Sequence, residues 1–195
     1  MHYIIGLGNP GSEYEFSRHN AGRMVLDVLH KTFDFEEWKE NKSVKAEVAK
    51  GEIDGAPATL IFPETFMNKS GLAAAKFVTS AKKAEKTIVI YDEIDLPLGT
   101  IRIAFGRGSG GHRGIESMIR SLKTKDFVRI RVGVCPTTPT GKLKKPKGEQ
   151  KVVDLLLGDF KKPELDILKK EFKQIAKAVS MIVHEGRAKA MGEFN

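Results

Sequence analysis

The chain has 195 residues, of which 33 are Lys or Arg and 25 are Asp or Glu, so its formal net charge is +8. This excess of positive charge favours a polyanionic partner. A chain of this length is typical of one domain whose core needs no disulfide or metal for stability. No uncharged apolar run is long enough to span a bilayer, so we expect no transmembrane segment.

Two further features concern the cellular compartment. Residues 1–6 carry neither a basic leader nor a long apolar region, which predicts that no secretory signal is present. Cys135 is the only cysteine. A single cysteine is typical of proteins from reducing compartments, so we expect a cytoplasmic protein.

In the first half of the chain, apolar segments alternate with amphipathic ones. Residues 3–8 are apolar and β-branched and stop at Asn9-Pro10-Gly11, which is strong turn chemistry and predicts a buried strand. Asp54-Gly55 suits the positive φ angles of a tight hairpin turn. The predicted elements are a strand at 3–8, a helix at 24–33, and hairpin strands at 44–52 and 58–62.

The second half of the chain continues this alternation. Ser70 is predicted to cap a helix that runs to Val78, and the acidic segment 92–95 follows a buried strand. Five of the nine residues in 106–114 are glycine. Residues 136–150 are predicted to form an exposed, mobile, basic linker. The other predicted elements are strands at 87–91, 100–105 and 127–134, and helices at 115–122, 152–157 and 165–182.

Strands separated by helices predict an α/β fold. We expect one domain over residues 1–195, a three-layer sandwich in which helices flank a mixed, largely parallel central sheet. The hairpin supplies antiparallel strands at the edge of the sheet.

Residues 6–11 have the Gly-x-Gly-x-x-Gly form of a dinucleotide-binding loop. Pro10 removes a backbone donor from this loop, and Glu13 and Glu15 bring acidic charge where a pyrophosphate would require the start of a helix. The segment therefore argues against an enzyme that binds a nucleotide cofactor.

Two residues are candidates for acid–base chemistry. His19 lies in a loop after the first strand, where a neutral imidazole could accept a proton from water, or could be a hydrogen-bonded structural residue. Asp92 follows the strand 87–91, at the sheet edge where sites collect. Its carboxylate could orient a histidine, or could serve as a helix cap or a loop salt bridge.

Three other segments could contact a ligand. Asn68, after Phe66 and Met67, has an amide that could bind a substrate carbonyl or water, or could be an ordinary turn residue. The glycine segment before His112 and Arg113 could hold a phosphate or form a flexible lid. The five histidines are scattered through the sequence, which predicts no metal site.

The basic residues are concentrated in two segments. Residues 102–131 contain eight Arg or Lys against two acidic residues, and residues 142–151 contain five lysines against Glu149. These segments could be solvated faces or phosphate contacts.

Taken together, these segments resemble the bacterial peptidyl-tRNA hydrolase family over residues 3 to about 190. The matching segments are 6–11 with Tyr14, 18–22, 63–71, 92–99, 110–112, 127–133 and a lid helix at 151–158.

The resemblance implies a monomeric enzyme that hydrolyses the ester joining a peptide to tRNA, without a cofactor or metal. His19 is implied as the general base, with Asp92 orienting it. Asn9 and Asn68 are implied to hold the terminal peptide unit and the water, and Arg131 to contact a phosphate at the 5′ end of the acceptor stem. Further implied contacts are Tyr14, Phe66, Met67 and Arg113 for substrate, and Arg102 and Arg107 for tRNA phosphates.

The implied partner is peptidyl-tRNA, through its acceptor stem and 3′ end, with no membrane and no obligate protein partner. The chain departs from the family at Arg113, where the family usually has Asn, and at Ala104, where a basic residue is common. The linker 136–150 is also longer than usual. The alternative function is an RNA-binding relative without turnover; His19 and Asp92 favour the enzyme.

Overall fold

The computed structural model describes residues 1–195 and contains one sheet of seven strands. The strands are β1 (His2–Gly6), β2 (Lys39–Asn41), β3 (Ala46–Ile53), β4 (Ala56–Pro63), β5 (Thr87–Pro97), β6 (Ile101–Phe105) and β7 (Val128–Cys135). Their order across the sheet is β2-β3-β4-β1-β5-β7-β6.

Seven α-helices and three short 3₁₀ turns connect these strands. The helices are α1 (Ala21–Thr32), α2 (Ser70–Ala74), α3 (Ala81–Glu85), α4 (Arg113–Leu122), α5 (Glu149–Leu157), α6 (Lys162–Glu185) and α7 (Arg187–Phe194). The 3₁₀ turns are Ser12–Tyr14, Arg18–Asn20 and Met67–Lys69. None of the helices combines the length and the apolar character that a bilayer-spanning segment needs.

The four central strands, β4, β1, β5 and β7, are parallel, while β2, β3 and β6 pair antiparallel at the two sides. In β1, Ile4 packs into the apolar cluster that includes α1 and α6, and Ile5 packs into the cluster that includes α2 and α4. Successive side chains of a strand point to opposite faces, so helices cover both faces of the sheet. The predicted three-layer α/β sandwich with a mixed sheet is confirmed.

The hairpin between β3 and β4 turns where the sequence predicts it. Asp54 and Gly55 have φ angles of 48° and 84°. Positive φ at both central residues produces the twist that matches the flanking strands.

The predicted cap at Ser70 is wrong. Ser70 is the first residue of α2, and its buried hydroxyl donates to the Met67 carbonyl at 3.0 Å. The adjacent Gly71 N–H donates to the Ser117 hydroxyl at 3.0 Å. Ser70 already has helical backbone angles because the 3₁₀ turn before it continues into α2, so its hydroxyl bonds back to that turn instead of capping the helix. The close packing of α2 on α4 keeps this hydroxyl in the interior.

Several boundaries also differ from the prediction. Strand β1 ends at Gly6, β5 continues through the acidic segment to Pro97, and α5 begins at Glu149, inside the predicted linker. A β-bridge joins Thr137 to Leu143 within that linker. The sequence does not predict β2 and α3, because elements of three to five residues carry little periodicity. It does not predict α7 either, because only Ala190 of this helix is buried and its apolar pattern is weak.

Candidate active site

Parallel strands place their carboxyl ends at one edge of the sheet, and three titratable residues meet there. His19 Nδ1 lies 2.9 Å from Asp92 Oδ1, and His112 Nε2 lies 3.0 Å from the same oxygen. His19 comes from the turn before α1, Asp92 from β5, and His112 from the residue before α4. The side chain of Asp92 is 1% exposed, so this carboxylate is the buried centre of the cluster.

A close approach of α1 to the sheet brings His19 to this edge. A Cβ atom at Gly22 would lie 2.3 Å from the Ile90 carbonyl oxygen and 2.7 Å from the Leu7 nitrogen. Only glycine allows the first turn of α1 to contact both β5 and the residues after β1. His19, three residues before Gly22, is thereby held beside Asp92.

Arg18 holds the same turn against α6 and β7. Its side chain is 6% exposed, and its Nη2 group donates to both carboxylate oxygens of Glu164 in α6, at 2.9 and 2.8 Å. It also donates to the Val134 carbonyl at 3.3 Å. Hydrogen bonds between charged groups are stronger than those between neutral groups, so these contacts tie the backbone next to His19 to α6 and β7.

The protonation of His112 follows from its contacts with α4. Its Nδ1 accepts the backbone N–H groups of Gly114 and Ile115, at 3.1 and 3.2 Å, so this nitrogen carries no proton. The proton of the neutral ring is then on Nε2, which donates to Asp92. The cap of α4 thus holds His112 as one neutral tautomer and directs its N–H at the carboxylate.

His19 has the complementary arrangement. The Asp92 carboxylate can only accept, so Nδ1 of His19 donates to it, and in the neutral ring Nε2 carries no proton. Burial lowers the pKa of His19, but the charge and hydrogen bond of Asp92 outweigh it, so the pKa lies above its ordinary value. The charge of Arg113 acts in the opposite direction. For Asp92, burial raises the pKa, but His19 and His112 lower it well below its usual range.

A cleft of about 420 Å³ opens at this cluster. One wall is helix α5, none of whose residues is buried. The lining residues are Asn9, His19, Phe66, Met67, Asn68, Gly111, His112, Arg113, Glu149, Val152, Val153, Leu156 and Leu157.

The two asparagines of the cleft are held differently. Asn9 is 7% exposed, and its side-chain oxygen accepts the Met67 N–H at 2.9 Å. Its Nδ2 group is therefore the part of the amide available to a ligand. Asn68 is exposed on the adjacent 3₁₀ turn, with Phe66 beside it at 59% exposure.

The structure brings together three residues that can bind metals, which the spacing in the sequence did not predict. Ligand atoms of His19, Asp92 and His112 all lie within 4.8 Å of one another. Hydrogen bonds already occupy both ring nitrogens of His112 and Nδ1 of His19. Metal binding by all three residues would break the cap of α4, so the contacts favour a hydrogen-bonded cluster.

The remaining predicted residues lie elsewhere. Tyr14 is half-buried in its 3₁₀ turn and does not line the cleft. Arg102, Arg107 and Arg131 line a second cleft of about 690 Å³. Arg102 and Arg131 are direct cross-strand partners, and Arg131 Nε donates to Glu93 at 2.9 Å.

Arg129, one of the basic residues of segment 102–131, also lines the second cleft, and the sequence did not predict its burial. Arg129 is 1% exposed and donates to the carbonyls of Gly108, at 2.6 Å, and Arg107. It thereby holds the start of the glycine-rich segment whose end is His112. The Phe-x-Arg-x-Arg pattern at 127–131 was a visible signal, but strand alternation does not reveal which arginine is buried.

The fold and the cleft together define a class of protein. It is an α/β enzyme in which a histidine–carboxylate pair faces a cleft that is lined by neither serine nor cysteine, an arrangement suited to activating water.

Comparisons with known proteins identify the family. The family model for peptidyl-tRNA hydrolase matches residues 3–195. The peptidyl-tRNA hydrolase of Finegoldia magna is 40% identical over 197 residues, which cover 100% of this chain and 97% of that protein. The Koribacter versatilis enzyme of the same name is 36% identical, with coverages of 100% and 92%. The crystal structure of peptidyl-tRNA hydrolase from Acinetobacter baumannii superposes with a TM-score of 0.88 at 28% identity, with coverages of 100% and 94%.

The chain belongs to the peptidyl-tRNA hydrolase family.

Proposed function

We propose that this protein hydrolyses the ester bond between peptide and tRNA in peptidyl-tRNA, with His19 as the general base toward water. The observation that carries this proposal is the hydrogen bond from His19 Nδ1 to Asp92, which leaves Nε2 as the free acceptor at the cleft. The relatives named above carry the same activity in their names.

The reaction uses water as the nucleophile. His19 Nε2 takes a proton from water as the oxygen attacks the ester carbonyl carbon, and Asp92 stabilises the imidazolium that forms. When the tetrahedral intermediate collapses, the bond to the ribose oxygen breaks and the imidazolium returns its proton to that oxygen. The products are a peptide with a free carboxylate and a tRNA with a free ribose hydroxyl.

The asparagines and apolar residues position the ester. Asn9 Nδ2 is the donor available to a substrate carbonyl, and Asn68 offers both a donor and an acceptor. A donor aimed at a developing oxyanion contributes about 10² to 10³-fold to turnover. Phe66 and Met67 provide apolar contact for the peptide.

The second cleft is assigned to tRNA phosphates of the acceptor stem. Arg102 and Arg131 lie opposite each other on β6 and β7. Glu93 pairs with Arg131, but the arginines of this cleft outnumber its one glutamate, so the cleft keeps a positive charge that attracts phosphate. Arg107 adds a third cation to the same cleft. Arg102 and Arg107 flank Ala104, so they replace the basic residue that the family commonly has there.

The test compares N-blocked aminoacyl-tRNA with free aminoacyl-tRNA as substrates. We expect hydrolysis of the blocked ester alone. Binding of the blocked substrate without release of tRNA would support the alternative of an RNA-binding protein.

We also propose that the enzyme acts in the cytoplasm as a single chain, since the substrate arises in translation and the site draws all its residues from one chain.

A further inference from the structure

We propose that Glu149 competes with a phosphate of the tRNA 3′ end for the guanidinium of Arg113. The Arg113–Glu149 ion pair is then a latch: it holds the start of α5, the lid helix of the sequence analysis, until substrate displaces Glu149. The inference rests on the proposed function and adds a specificity-determining residue to it.

The ion pair joins two sides of the active-site cleft. Arg113 Nη2 lies 2.6 Å from Glu149 Oε1, and both residues line the cleft. Arg113 begins α4, directly after His112, and Glu149 begins α5. The contact therefore spans the mouth of the cleft beside the catalytic cluster.

Helix α5 is held unevenly at its two ends. Its carboxyl end is tied by backbone bonds: Arg18 donates to the Gly158 carbonyl at 3.1 Å, and Phe160 donates to the Phe16 carbonyl at 3.0 Å. The other end follows Gly148, with a φ angle of 94°, and its one ion pair is the contact with Arg113. Since α5 has no buried residue, this pair is the helix's own electrostatic contact at its amino end. The nearest ion pair before it in the chain is the exposed pair of Lys145 with Asp95 of β5.

Arg113 is placed to meet a substrate anion. Arg113 lines the same cleft as His19 and its charge acts on that ring, so the guanidinium lies near the place where the ester would react. In a tRNA ester, the terminal ribose carries a phosphodiester a few bonds from the ester oxygen. A guanidinium binds carboxylate and phosphate with the same fork of donors, so the two anions exclude each other at Arg113.

The ion pair is also weak enough to exchange. The side chains of Arg113 and Glu149 are 63% and 79% exposed, and exposed pairs contribute little net stability. A substrate phosphate can therefore displace the carboxylate and release the start of α5. The binding of substrate has to overcome this competition, so the competition enters KM and leaves the chemical step unchanged.

The experiment is a double-mutant cycle on N-blocked aminoacyl-tRNA, using Glu149→Gln, Arg113→Gln and the double variant. Glu149→Gln should lower KM by about two- to five-fold, the range expected for an exposed ion pair, with kcat held. In the Arg113→Gln background the same substitution should leave KM unchanged. Asp154→Asn is the matched control, because it removes one exposed carboxylate from α5 that has no arginine partner.

A second arm tests for the phosphate. N-blocked aminoacyl esters of adenosine and of the dinucleotide cytidylyl-adenosine are measured as inhibitors of the tRNA reaction. Glu149→Gln should strengthen inhibition by the dinucleotide ester and leave inhibition by the phosphate-free ester unchanged. Equal strengthening of both would overturn the competition and assign the pair to lid closure alone.

Failure of the inference is distinct from failure of the function. If the wild-type protein does not hydrolyse N-blocked aminoacyl-tRNA, the proposed function is wrong. If the wild-type protein does hydrolyse it, two results would show that only the latch is wrong. Either Glu149→Gln leaves KM unchanged, or it lowers KM equally in the wild-type and Arg113→Gln backgrounds.

Discussion

The His19–Asp92–His112 cluster and helix α5 face each other across the same cleft, yet they are held by opposite means. Asp92 is buried, His112 is fixed by the backbone of α4, and the turn of His19 is tied down by Arg18. Helix α5 buries no residue and is fastened at its ends. In the function proposed above, the buried contacts position the reacting groups and the weak contacts of α5 control access to them, so substitutions in the two regions should change different quantities.

The largest expected effect is on turnover, at the centre of the rigid region. His19→Ala should lower kcat by about 10² to 10⁴-fold, because it removes the base that accepts the proton from water. tRNA affinity, measured by titration, should stay within a few-fold of wild type. His30→Ala is the control, since His30 bonds the Glu36 carbonyl far from the cleft. A turnover within about tenfold of wild type would rule out the general-base role.

The next effect is on stability, at Arg18, which holds the turn that carries His19. Arg18→Met should lower the free energy of unfolding by about 3–5 kcal/mol, because it removes the cation that pairs with the mostly buried carboxylate of Glu164 and leaves it only the Lys161 N–H. Denaturant titration measures the change. Lys169→Met removes an exposed partner of Asp166 and should change stability by less than about 0.5 kcal/mol. Similar losses in both variants would contradict the anchoring role of Arg18.

The pH profile reports on the coupling within the cluster. kcat/KM should fall as the pH falls through the pKa of His19, since only the neutral ring accepts a proton, and this pKa lies above its ordinary value of about 6.5. Asp92→Asn removes the charge that raises this pKa, while burial and Arg113 still lower it. The acid limb should therefore move to lower pH, with a smaller loss of kcat than in His19→Ala. An acid limb that stays in place would show that it reports another group.

A smaller effect is expected on the salt dependence of tRNA binding when an arginine of the sheet is removed. Arg131→Ala should reduce the dependence of log affinity on log salt concentration by about one unit, because one phosphate contact and its counterion are lost. Weaker affinity with an unchanged slope would reassign Arg131 to folding.

The smallest effect is expected in the basic linker. Replacing Lys142, Lys144 and Lys147 with Gln should leave the salt dependence of tRNA binding nearly unchanged, because these side chains are exposed and form no ion pair with the folded sheet. Filter binding at several salt concentrations measures this slope. A decrease as large as that of Arg131→Ala would place the linker on the RNA.

The parts of the fold that were predictable depend on neighbours in the chain. The hairpin turn at Asp54-Gly55, the helix α4 and the strand β7 follow from turn chemistry and apolar periodicity, which are local properties. Ser70 is not a cap because the 3₁₀ turn Met67–Lys69 runs directly into α2, so its hydroxyl bonds back to the Met67 carbonyl. The contact of the adjacent Gly71 with Ser117 in α4 spans 46 residues, and no local pattern contains it.

The candidate site divides in the same way. The sequence by itself determined which side chains are chemically able to act, and the motifs around His19, Asp92, Asn9 and Asn68 placed them in one family. Only the tertiary structure decided that His112 shares the carboxylate of Asp92, that Arg18 binds Glu164, and that Arg113 meets Glu149. These partners are 20, 146 and 36 residues apart in the chain. Hydrogen bonds and ion pairs depend on distances of about 3 Å, which only the packing of helices on the sheet sets.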